Sequence, residues 1–145
     1  MWNEIVNQDD IQGFMESFGY FHDGCIRELK YASNIFVNEE LTICPADDGQ
    51  VLKIIFQRQY ESPKVIEMEF RELVRLQMCL EKEWYDSILF GATMIKKNGY
   101  IYWCDSDNLL DDDLVEYKGT LICASKVRWR IVDEYIGKDE IYINS

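Results

Sequence analysis

Apolar residues recur at helical spacing in one stretch, at Ile11, Phe14, Met15 and Phe18, while most of the remaining chain alternates. That stretch predicts an amphipathic helix. Asn7 stands where a side chain can cap it, and Asp10 completes a capping-box-like pattern with two acids in the first turn. Val6 and Ile11 occupy the hydrophobic-staple positions, and Gly19 supplies the C′ stop. Gly13 inside the helix costs roughly 1 kcal/mol relative to alanine, so the helix must lean on tertiary packing.

The rest reads mostly as strands. Cys25 to Tyr31 is one, with an imperfect alternation that points to a bulge. Ile35, Val37, Leu41 and Ile43 share a parity, and Asp48-Gly49 reads as a turn into a strand over Val51 to Phe56. In Val65 to Phe70, Ile66, Met68 and Phe70 face one way and Glu67 and Glu69 the other, the pattern of a half-buried strand. Across Glu72 to Glu83 the composition suits a helix, but Val74, Leu76, Met78 and Leu80 alternate, and a strand is expected.

Ile88 to Lys96 and Tyr100 to Asp105 flank Asn98-Gly99, the strongest hairpin signal in the chain. A type I′ turn there pairs Lys97 with Tyr100 and Met94 with Trp103. A last strand spans Thr120 to Val132, where Val127, Trp129 and Ile131 alternate with Lys126, Arg128 and Arg130. The expected architecture is α+β: an N-terminal helix packed on a curved, largely antiparallel sheet of seven or eight strands. No repeat or Pro/Gly-rich linker divides the chain, which reads as a single domain over 1–145.

Composition narrows the class. With 145 residues, 48% hydrophobic and 14% aromatic, the chain has the means to bury a core, which argues against disorder. No apolar run approaches the ~18 residues a membrane span needs, and the N-terminus lacks the pattern of a signal peptide. The cysteines Cys25, Cys44, Cys79, Cys104 and Cys123 form no Cys-x-x-Cys pair, which argues against zinc ribbons and thioredoxin-type redox chemistry. They fit reduced core thiols in a cytoplasmic protein. The net charge of −12 disfavours nucleic acid and favours a basic partner, although acidity also serves solubility alone.

His22 is the sole imidazole, in Phe21-His22-Asp23-Gly24. Beside Asp23 it could form half of an acid–base pair, with Cys25 as a nucleophile. In an extended chain, however, His22 and Cys25 have opposite parity. The favoured reading is structural: Asp23 caps backbone amides at a turn, and His22 bonds a carbonyl where helix meets sheet. No catalytic residue, metal ligand or cofactor is expected.

A second cluster holds Asp105, Asp107, Asp111, Asp112, Asp113 and Glu116, with no base among them. Its Asp105-x-Asp107 opening and Glu116 at the twelfth position suit a calcium loop, but as an EF-hand it fails at the sixth position, where Leu110 replaces glycine. These acids are the candidate surface for a cationic partner, beside the plainer reading of a solvated loop. Lys126, Arg128 and Arg130 are expected to pair with acids on neighbouring strands. Trp84, Tyr100, Tyr102, Trp103 and Trp129 are expected mainly to fill a core.

Taken together, a short helix leading into Phe21-His22-Asp23, the strand Ile26-Arg27-Glu28-Leu29-Lys30-Tyr31, a Glu-rich strand ending in Phe and the late Trp129-Arg130 carry a resemblance. The chain resembles small bacterial proteins related to the immunity families of polymorphic toxin systems. The resemblance implies a cytosolic, non-enzymatic protein that binds a cognate toxin, and carries over no catalytic residue. The alternatives are a small hydrolase or metal-dependent enzyme using His22 and Asp23, and a regulatory or structural module.

Overall fold

The computed structural model describes residues 1–45, 49–80, 88–107, 114 and 116–144. The helix α1 (Gln8–Ser17) forms as its sequence directs. Asn7 Oδ1 accepts the Asp10 amide at 2.9 Å, and the Asp10 carboxylate accepts the Asn7 amide at 3.2 Å. Phe18 is the C-cap, and Gly19 (φ +59°) takes the left-handed turn after it. Val6 stays mostly in solvent, so Ile11 is held by the core instead of by the staple. Ahead of the helix a short strand, β1 (Asn3–Ile5), goes unannounced because three residues are too few for alternation to show.

The remaining strands are β2 (Gly24–Ala32), β3 (Phe36–Val37), β4 (Ile43–Cys44), β5 (Val51–Arg58), β6 (Val65–Gln77), β7 (Ile88–Leu89), β8 (Thr93–Lys97), β9 (Tyr100–Cys104) and β10 (Leu121–Ile131). The described residues form one curled antiparallel sheet of eight strands, in the order β7-β2-β5-β6-β10-β9-β8, with β1 pairing β10 as well. The fold is the expected α+β arrangement of a helix on a curled antiparallel sheet.

Bulges help it curl. Arg27 is an extra residue of β2 opposite Ile55 and Phe56, and Val74 an extra residue of β6 opposite Cys123 and Ala124. The first lets Ile26 and Leu29, three apart, pack on the same core. The second turns Val74 outward while Leu73 is buried, which breaks the expected alternation beyond Phe70. Strand β6 nevertheless runs unbroken to Gln77, because pairing with β10 outweighs helical composition. Residues 81–83 lie outside the described residues, as do Asp48 and Trp84. At the β8–β9 turn the register is as expected, Lys97 opposite Tyr100 and Met94 opposite Trp103, with positive φ at Asn98 and Gly99.

On the helix-covered face Ile11, Phe14 and Met15 belong to one buried cluster with Ile54, Phe56, Ile66, Met68 and Phe70. Of the aromatic residues expected inside, Trp103 is fully buried and Trp129 packs against the core, whereas Tyr100 is exposed.

The opposite face departs from expectation. Glu67 and Glu69 are only 3% and 2% exposed, so the centre of β6 is buried on both faces. The cover comes from both ends of the described chain. Trp2 lies over Arg128 and Arg130, with centroid distances of 4.3 and 4.5 Å. After β10 the chain returns across the sheet. Gln57 donates to the carbonyls of Tyr135 and Gly137, Arg27 to that of Lys138, and the Glu28 carboxylate accepts the amides of Ile141 and Tyr142. Alternation cannot foresee a cover supplied by distant segments.

The apolar positions 35, 37, 41 and 43 also behave differently from a core strand. Strands β3 and β4 form a separate two-stranded ribbon, and Ile35, Val37, Leu41 and Ile43 are all exposed. No helix among the described residues is long and apolar enough to cross a membrane.

Candidate functional site

The corner between α1 and β2 is built from left-handed residues. Gly19, Tyr20 and Phe21 have φ of +59°, +55° and +64°, and Asp23 +58°. The Phe21 amide donates to Phe18 O and the His22 amide to Gly19 O. This tight turn swings Phe21 into the core, where its ring meets Phe14, Phe18, Phe56 and Trp103 at centroid distances of 4.9–5.7 Å. Such edge-on contacts add to the burial of the ring itself.

His22 points outward, with its side chain 56% exposed. Its Nδ1 lies 3.0 Å from the Phe90 carbonyl, which can only accept, so Nδ1 carries the proton of that bond. Nε2 lies 3.4 Å from Asp23 Oδ2, and the Tyr60 hydroxyl approaches the same oxygen at 3.5 Å. His22 thus bonds a carbonyl where helix meets sheet, as expected. The Asp23 carboxylate meets side chains instead of the backbone amides it was expected to cap, while its own amide donates to Leu89 O.

Asp23, Cys25, Gln57, Arg58, Ile88 and Ile136 line an open hollow of about 190 Å³, to which His22 does not contribute. Burial pushes the Cys25 thiol above its ordinary pKa, against weaker opposing effects of a Gln57 backbone hydrogen bond and Arg27. A thiol so placed is a poor nucleophile. Arg58 is committed: it donates to Pro63 O at 2.6 Å and lies over the Phe18 ring at 4.7 Å. Among the described residues no group of three or more His, Cys, Asp or Glu side chains is arranged to hold a metal ion.

Of the acidic stretch, Asp105, Asp107 and Glu116 are described, and Asp111, Asp112 and Asp113 lie outside the described residues. Asp105 faces inward. Its Oδ1 accepts from the Tyr117 hydroxyl and from the Thr120 amide at 3.2 Å. Burial, and then the Asp105 carboxylate, drive the Tyr117 hydroxyl well above its ordinary pKa, so it remains a donor. Asp107 and Glu116 are exposed.

The basic residues of β10 pair with acids, as expected. Arg128 Nε and Nη2 meet the two oxygens of Glu69 at 3.1 and 3.2 Å, Arg130 Nη2 meets Glu67 at 2.7 Å, and Lys126 Nζ meets Glu72 at 3.8 Å. Arg71 Nε adds a contact to Glu69 at 2.6 Å. The Tyr142 hydroxyl donates to Glu67 at 2.6 Å, and burial followed by that carboxylate raises its pKa strongly. All six arginines of the chain are therefore engaged within it, Arg27, Arg58 and Arg75 with Lys138 O, Pro63 O and Gln77 Oε1.

The surface that sequence reading did not single out is the β3–β4 ribbon. The one signal for it was the shared parity of Ile35, Val37, Leu41 and Ile43. Comparison with protein-family models, curated proteins and solved structures finds no match to this chain.

Proposed function

We propose that this chain is a non-enzymatic binding protein that neutralises a basic protein partner, as the resemblance to immunity proteins of polymorphic toxin systems implies. The observation that carries the reading is the placement of charge. The chain holds 27 acids against 15 bases, and every arginine is spent on an internal carboxylate, carbonyl or amide. Exposed acids such as Asp107 and Glu116 then dominate what an approaching protein meets. The His22–Asp23 corner offers an exposed pair beside an open hollow, with its arginine and thiol otherwise engaged or poorly reactive, which favours binding over catalysis.

The test is association with the purified product of the gene adjacent to this one, measured by stopped flow across ionic strengths. Exposed acids act mainly on the association rate, and salt screens them with a Debye length of ~8 Å at physiological strength. Replacing Asp107, Asp111 and Asp113 with asparagine should slow association and flatten its salt dependence while thermal stability holds. If the parent shows no association, or a rate indifferent to salt, the reading fails.

A further inference from the structure

We infer that the β3–β4 ribbon is the docking element for that basic partner: an apolar finger with an acidic tip, built to insert into a cationic, partly apolar surface. The inference rests on the binding role proposed above and adds where the contact lies.

The ribbon stands apart. Among the described residues it pairs with no strand of the main sheet, and Ile35, Phe36, Val37, Leu41 and Ile43 are all exposed. A two-stranded ribbon is marginal by itself, and exposed apolar clusters on a folded chain mark contact surfaces.

Its tip is nonetheless firmly built. Asn38 Oδ1 accepts the amides of Glu40 and Thr42 at 3.0 and 2.9 Å. The Asn38 amide donates to Thr42 O, and the Leu41 amide to Asn38 O. At the base, Asn34 Nδ2 donates to Gly49 O at 2.6 Å.

Leu41 is the decisive residue. It sits at φ +64°, in the left-handed position that closes a hairpin loop of this kind and ordinarily belongs to glycine or asparagine. Its side chain is 84% exposed. A leucine there accepts backbone strain and gains no burial within its own fold. A locally unfavourable choice with no compensation in the fold is what a binding contact leaves behind in the free protein.

Charge selects the occupant. Between Lys30 and Lys53 the chain has no base and four acids, Glu39, Glu40, Asp47 and Asp48, of which Glu39 and Glu40 form the ribbon tip. A second copy would bring a like-charged tip and a net charge of −12 to the contact. A basic protein with an apolar cleft matches both the charge and the side chains.

The experiment compares the parent with Leu41→Gly, Phe36→Ser and Glu39→Lys/Glu40→Lys, using the purified product of the adjacent gene as probe. Glycine suits the backbone at position 41, so Leu41→Gly should keep the parent's melting temperature within about 3 °C. Its affinity should fall at least about tenfold, as for loss of an anchor side chain. The charge reversal should slow association at low salt, and the difference should shrink at high salt.

Should all three variants bind as the parent does, the ribbon is not the contact, although the binding role stands. If the parent itself fails to bind, the role falls and this inference with it. Ribbon-dependent dimers of the parent in sedimentation would assign the surface to a second copy and overturn the choice of partner.

Discussion

Arg130 and Glu67 sit opposite one another on β10 and β6, with Nη2 2.7 Å from Oε1, on the sheet face that Trp2 and the C-terminal segment cover. The neighbouring pair, Arg128 and Glu69, is built alike but has a second cation, Arg71. Removing one partner of a buried pair strands the other charge, which costs more than the pair itself contributes. Arg130→Met leaves Glu67 with the Tyr142 hydroxyl, whereas Arg128→Met leaves Glu69 with Arg71. Urea denaturation should show a loss of about 3 kcal/mol for the first and about 1–2 kcal/mol for the second. Equal losses would mean that Arg71 does not compensate.

These pairs also mark how far the sequence could be read. The cap at Asn7, the Asn98-Gly99 turn and the bulge in β2 were legible because each is decided by residues close together in sequence. The partners of Arg128 and Arg130 were expected to be acids on a neighbouring strand, since alternating basic residues on an acidic protein's strand require them. That Glu67 and Glu69 are buried was not legible, because the cover arrives from residues 2 and 135–142. Likewise the exposure of Leu41 and Ile43 follows from the ribbon pairing apart from the main sheet, which parity alone does not encode. At the candidate site the acidic stretch was visible as composition, but the inward turn of Asp105 depends on Tyr117 and Thr120.

Gly13 lies on the exposed side of α1, and a Cβ there would meet nothing within 4 Å. Its φ is not in the left-handed region. Gly13→Ala should therefore stabilise the protein by about 0.5–1 kcal/mol, through helix propensity and a less flexible unfolded chain. Thermal melts at one protein concentration would show it, and a lower melting temperature would mean that position 13 carries a contact of its own.

Asp133 locks the start of β6 to the end of β10. Its Oδ1 accepts the amides of Lys64 and Val65 at 2.8 and 2.9 Å. Burial works against the carboxylate, but hydrogen bonds from Ser62, Val65 and Lys64 outweigh it and hold the pKa below the ordinary 3.8. A folded-state pKa below the unfolded one contributes stability that is present above pH 3.8 and lost as pH falls through the folded value. Asp133→Asn should cost about 1 kcal/mol at pH 7. Its gap to the parent should narrow below pH 3.8, and a gap that stays constant across that range would assign the effect to shape instead of charge.

The residues of Phe21-His22-Asp23 have unequal structural weight. Phe21 is fully buried at the meeting point of four aromatic rings, in a left-handed conformation that the turn at Gly19 to Phe21 sustains. His22 is mostly exposed and holds the Phe90 carbonyl by one hydrogen bond. Phe21→Ala should lower stability by about 3–5 kcal/mol, because the surrounding rings can only partly collapse into the space. His22→Ala should cost only about 0.5–1.5 kcal/mol, the net worth of one exposed-side hydrogen bond. The difference separates a structural motif from a catalytic one. If His22→Ala melts with the parent, still binds the adjacent gene's product, and abolishes a hydrolytic activity detectable in the parent, then the imidazole serves chemistry, and the binding role is incomplete.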